Sequence, residues 1–161
     1  MLRGFCEWLG NTPLSMAIQN AFWVIPVVQT VHILAIAVVM SSVVMLNLRL
    51  LGVAGRRLPF ADVARRFLPW VWGAVVVLLA SGSVLIIGEP GRELLSPMFW
   101  LKMSMLSGAL ILTGMVQLAL GSHRGFWERR RGLAALTAVV SLGLWVGILA
   151  AGRWIAYWEH G

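Results

Sequence analysis

The chain has 161 residues, 60% of them hydrophobic and 12% charged, with a mean hydropathy of +0.86. A soluble globular domain carries roughly 25% charged and 45–50% apolar residues, so this composition points instead to an all-α protein that uses lipid as its solvent. The net charge of +7 comes from 13 basic residues, all but one of them arginine, against six acids; they sit in short segments between long apolar runs rather than in a patch with interleaved aromatics, which excludes nucleic acid as a partner.

Residues 1–20 are interrupted by Arg3, Glu7, Asn11 and Pro13 before a signal-peptide core can develop, so the first span is expected to stay in the mature protein. Cys6 is the single cysteine, which excludes an internal disulfide and a metal site built on paired thiolates. Thr12-Pro13 reads as a helix start, a capping hydroxyl followed by proline at the first helical position. It makes 14–20 a short interfacial helix.

A membrane-crossing helix needs about 20 mostly apolar residues, and four runs supply them, predicting helices over about 21–48, 68–88, 98–121 and 133–156. The second reaches that length by placing Pro69 in its first turn, where a missing N–H costs nothing. Asn-Leu-Arg-Leu-Leu-Gly at 47–52 closes the first helix with a glycine positioned for a left-handed cap and with Arg49 favourable to the helix dipole. Glu89-Pro90-Gly91 reads as a turn, and Ser96-Pro97 as a second capped helix start. Small residues line the third helix (Ser104, Ser107, Gly108, Gly114, Gly121) and the fourth (Gly143, Gly147), at spacings that let backbones approach. The expected architecture is a single integral membrane domain over 1–161: a four-transmembrane-helix bundle with a short N-terminal interfacial helix.

Nine of the 13 basic residues lie between the first and second spans or between the third and fourth. Because Lys/Arg in short loops sets orientation, both loops are expected to be cytoplasmic, with both termini and the 88–97 loop on the opposite side. Trp8, Trp23, Trp100, Trp154 and Trp158 then collect at one interface, and Trp70, Trp72 and Trp127 at the other.

Phosphate-cradling loops, nucleophile elbows, zinc-binding His-Glu-x-x-His and intramembrane carboxylates are all missing from the sequence. The one ionisable residue well inside a span is His32, roughly 9–14 Å along the helix from Pro26 or Trp23 at 1.5 Å per residue. Gln29 precedes it by one turn. An imidazole at this depth can ligate haem iron or bond a quinone carbonyl, and it can equally be a neutral side chain bonded to a serine or carbonyl of a neighbouring helix. Lys102, Arg153 and Tyr157 stand near the same end of the bundle, where cations could hold haem propionates or simply snorkel to the interface. Histidine supplies no second axial ligand: His123 lies at the far end of the third span and His160 beyond the fourth, leaving Met103 and Met105, which also suit apolar gap-filling.

The order Trp23-x-x-Pro26, His32, Asn-Leu-Arg-Leu-Leu-Gly at 47–52, Phe99-x-x-Lys102 and Ala-Gly-Arg-Trp-Ile-Ala-Tyr at 151–157 resembles an uncharacterised family of small bacterial inner-membrane proteins over nearly the whole chain. Asn47 departs from the Asp expected there. The architecture is similar to that of b561-type cytochromes and copper-resistance D-type membrane domains. The resemblance implies a multi-pass protein of the bacterial inner membrane, in which the distribution of basic residues puts both termini in the periplasm, and no established activity. The functional expectation is a haem b- or quinone-associated electron-transfer or accessory subunit, with His32 as ligand (to iron, in the haem form) and Gln29, Lys102, Arg153 and Tyr157 around the cofactor. Its partners would be the lipid bilayer, a membrane or periplasmic redox protein, or further copies of itself. A non-catalytic anchor or assembly subunit is the alternative, and a small transporter a third.

Overall fold

The computed structural model describes residues 2–54, 57–122 and 126–155. These form helices and connecting turns, with no strand: α1 (Leu2–Gly10), α2 (Pro13–Asn20), α3 (Val24–Leu50), α4 (Phe60–Gly88), α5 (Pro90–Leu94), α6 (Pro97–Ser122), α7 (Phe126–Arg129) and α8 (Arg131–Ile155). Four of them, α3, α4, α6 and α8, are long and apolar enough to cross a membrane. α3 packs along α4, and α6 along α8; the two hairpins meet mainly through α3 and α8. Val39, Val43, Val71, Ala109, Trp145 and Ile148 form the centre of the core.

The start of α4 differs from its expected position near residue 68. Phe60, Val63, Ala64, Leu68 and Val71 are all buried, at the spacing of one helix face, so the helix begins where this amphipathic stripe begins. Pro69 consequently falls inside the helix rather than in its first turn. Trp127, expected at the interface, is instead buried in the core edge-on to Phe60, with ring centroids 6.2 Å apart. Apolar residues around Phe60 give the indole more area to bury than the interface would. Trp158, His123, His160 and Tyr157 lie outside the described residues.

α3 ends as its sequence indicates. Gly52 has φ 70°, and the N–H groups of Gly52 and Val53 donate to the carbonyls of Arg49 and Leu48 at 3.0 Å each. This is the Schellman closure that a glycine permits. Arg49 also donates through Nε to the Leu58 carbonyl at 2.8 Å, tying the connecting loop to the helix.

At the opposite end, α1, α2 and α5 form a cap over the bundle. Cys6 is buried, with Sγ 3.6 Å from the Pro90 carbonyl, and the Ser15 hydroxyl donates to the Ile87 carbonyl at 2.6 Å. Gly88 makes room for this closure, since a Cβ there would stand 2.7 Å from Ile25 Cδ1 and 3.1 Å from Ile18 Cγ2, and those methyl groups would have to shift. Thr12 caps α2 as expected, accepting from the Ser15 N–H at 3.3 Å. Ser96 does not cap α6, however, because its hydroxyl is buried without a hydrogen-bond partner. Glu89-Pro90-Gly91 is a break of one residue followed by the short α5 rather than an open turn. The exposed side of α1 carries Leu2, Phe5 and Trp8, an apolar face suited to the membrane interface.

Among the described glycines of the expected stripes, Gly108 and Gly147 receive a neighbour. A Cβ at Gly147 would lie 3.0 Å from Met105 Sδ, and one at Gly108 3.9 Å from Leu144, whereas Gly114 and Gly143 face open space. Ser104 and Ser107 are exposed and donate back to carbonyls of their own helix.

Candidate functional site

His32 is half-buried on α3, facing α4. Its Nδ1 lies 2.7 Å from the Ser81 hydroxyl. That hydroxyl has a single proton and donates it to the Val77 carbonyl at 2.6 Å, so its oxygen accepts from His32 and the ring carries its proton on Nδ1. Nε2 is left as the lone-pair nitrogen. It has no hydrogen-bond partner among the described residues, and it is not sealed from its surroundings. Gly82 lies beside the ring, where a Cβ would make ordinary contact with His32 Cε1 at 3.7 Å.

Lys102 is half-buried on α6 and runs along α8, with Cε and Nζ 3.9 Å from where a Gly152 Cβ would be. It makes no hydrogen bond or ion pair with a described residue, yet its charge acts on both His32 and Glu93. The Glu93 carboxyl, on α5 above the bundle, is pushed above its ordinary value by burial, with the Lys102 and Arg92 charges opposing that rise. Arg92 itself pairs with Glu89 at 2.8 Å. The cap end therefore places Lys102 within electrostatic reach of His32 on one side and of Glu93 on the other.

The structure does not bring every expected residue to this site. Gln29 is exposed and bonds to none of its members: at three residues before His32 it is rotated about 60° round the helix, enough to leave it on the outward side of the shared face. Arg153 is exposed at the end of α8, and Tyr157 is outside the described residues. Met105 is committed to packing against Gly147, and no group of three His, Cys, Asp or Glu side chains among the described residues could hold a metal ion.

Taken together, the four spans, the inward His32 at the cap end, the glycine-capped Asn-Leu-Arg-Leu-Leu-Gly segment and Lys102 early in α6 run in one order along almost the entire chain. The chain belongs to the DUF6644 family. This is a family of unknown function, and its model matches residues 5–158. No curated protein and no solved structure matches, and the likeness to b561-type cytochromes and copper-resistance D-type domains is not shown.

Two features of this DUF6644 chain were not singled out from the sequence as site residues. Ser81 is one; nothing distinguishes it from Ser83 until α3 and α4 are in register, when Ser81 turns inward and Ser83 donates to its own helix at Leu79. The other is a polar cluster deep in the bundle. Asn47, assigned by sequence to a helix end, is 3% exposed and donates to the Ser141 hydroxyl of α8 at 3.1 Å. With Thr113 and Thr137 it borders a cavity of about 30 Å³, enough room for a water molecule. An amide needs such partners in lipid, which explains why the helix-end residue points inward. A larger cleft opens between α4 and α6 near the arginine-rich end. Neither cavity is lined by His32.

Proposed function

We propose that this multi-pass membrane protein is an electron-transport accessory subunit that holds a quinol, the reduced form of a membrane quinone, at the cap end of its bundle, with His32 Nε2 accepting from the ring hydroxyl. One observation supports this reading above the rest: Ser81 holds His32 Nδ1 at 2.7 Å and leaves Nε2 unpartnered among the described residues. Such a partner on the far nitrogen is the usual way an imidazole is oriented toward a ligand. Lys102 supplies a cation at the same end for the polar head of the bound molecule. Haem b could meet the same nitrogen, but a low-spin haem needs a second axial donor; of Met103 and Met105, the latter is occupied in packing, and no second histidine stands at this end among the described residues. The quinol is the better fit to a single imidazole.

The site belongs on the periplasmic side of a bacterial inner membrane in this reading, because nine of the 13 basic residues flank the other end of the spans. The anchor alternative draws on one feature, the open face of α6, where Ser104, Ser107, Ile111, Met115 and Leu118 are all exposed and could seat another helix. Solvent extraction of the purified protein, with an optical reduced-minus-oxidised spectrum, tests the reading. Quinone should co-extract with the wild type and be lost from His32→Leu. Soret and α bands would replace quinol with haem, and a protein free of both that purifies bound to other membrane proteins would favour the anchor.

A further inference from the structure

We propose that the cleft between α4 and α6 at the arginine-rich end binds one anionic glycerophospholipid, with its phosphate on Arg65 and its glycerol and upper acyl chain in the apolar trough beyond. The cleft encloses about 340 Å³, within the ~300–1,000 Å³ of small-molecule sites. Ala61, Arg65, Leu68 and Trp72 line it from α4 at i, i+4, i+7 and i+11, one face of a helix. Leu120 supplies the apolar wall from α6. Trp72 Nε1 donates to Gln117 Oε1 at 2.8 Å, bridging the two helices at the floor of the cleft. From Arg65 to Trp72 the trough runs roughly 10 Å at 1.5 Å per residue.

Charge and backbone chemistry choose the occupant. Arg65 forms no ion pair or hydrogen bond with a described residue, although Asp62 lies one turn away on the same helix. Its planar fork of donors is thus free to meet a phosphate on two oxygens. Pro69, which also lines the cleft, has no N–H to give the Arg65 carbonyl four residues before it. That carbonyl can accept from a headgroup or glycerol hydroxyl instead. A free phosphate would satisfy the guanidinium but leave the walls of Ala61, Leu68, Pro69 and Leu120 wet, so an acyl chain completes the site. Basic clefts between membrane helices are where acidic lipid headgroups bind.

Native mass spectrometry of the full chain in detergent tests this, with phosphatidylglycerol, phosphatidylcholine or inorganic phosphate added. One phosphatidylglycerol should be retained per chain in preference to phosphatidylcholine. Arg65→Gln should lower that retention by about fivefold, the loss expected for one arginine–lipid attraction, while Arg66→Gln, exposed on the same turn but outside the cleft, should not. Leu120→Trp fills the trough without changing charge and should also displace the lipid; circular dichroism of each variant establishes that its helices are intact. Equal retention of the two lipids, equal effects of Arg65→Gln and Arg66→Gln, or displacement of the lipid by inorganic phosphate would each overturn the proposal. None of these measurements depends on what His32 binds.

Discussion

Replacing Ser81 by alanine isolates the contact on which the candidate site turns. The change removes the acceptor 2.7 Å from His32 Nδ1, along with the hydroxyl's own bond to the Val77 carbonyl of the same helix. Hydrogen bonds between membrane helices average ~0.6 kcal/mol and reach ~1.7 kcal/mol. At about 2–4 °C per kcal/mol for a chain of this size, the unfolding midpoint in detergent should fall by about 1–7 °C. His32→Leu should cost a similar amount, and the double variant less than the two together, leaving a coupling near the same ~0.6 kcal/mol. Ligand retention should move much further. Losing the group that orients a ligating histidine typically costs about 10–100-fold in affinity at metal sites, and Ser81→Ala should release quinol on that scale. Zero coupling in the cycle would refute the bond. Unchanged quinol retention in Ser81→Ala, alongside complete loss in His32→Leu, would show that Ser81 does not orient the ring.

Gly52→Ala forces a side chain onto φ 70°, at ~1–2 kcal/mol for an L-residue in that region, so a thermal scan should show clear destabilisation; a wild-type midpoint would mean that the loop rearranges. The Glu93 carboxyl is raised above its ordinary value of 4.5, chiefly by burial, so the native state binds this proton more tightly than the unfolded chain. Its contribution is complete below pH 4.5 and is lost as pH rises through the raised value. Glu93→Gln should flatten stability across that window and stabilise the protein at neutral pH, as followed by detergent unfolding against pH. Native Cys6 is buried and makes a poor topology reporter, but Gly4 has no neighbour within 4 Å. In a Cys6→Ala background, Gly4→Cys should react with an impermeant maleimide in intact spheroplasts, and Arg57→Cys only after lysis; the reverse pattern would invert the orientation.

Four spans, their order and the ends of several helices were legible in the residues alone, because lipid demands about 20 apolar residues per crossing and because Thr12-Pro13 and Gly52 act through local backbone chemistry. Covalent neighbours decide those features, so no tertiary contact is needed to read them. The resemblance to an uncharacterised family was legible for the same reason, in the spacing of Trp23, Pro26, His32, Lys102 and the 151–157 segment. Where packing competes with a local signal, packing prevails. Phe60 and Ala64 pull α4 back past Pro69, Trp127 enters the core, and the Ser96 hydroxyl is buried without capping anything. The candidate site depended on tertiary structure most of all. His32 announced itself as the polar group inside a span, but its tautomer, its free Nε2 and its tie to Ser81 exist only once α3 and α4 lie in register. Asn47 likewise became a core residue only when α8 brought Ser141 to it. A buried polar group must find its partner in space, and sequence separations of 49 and 94 residues carry no local trace of either pairing.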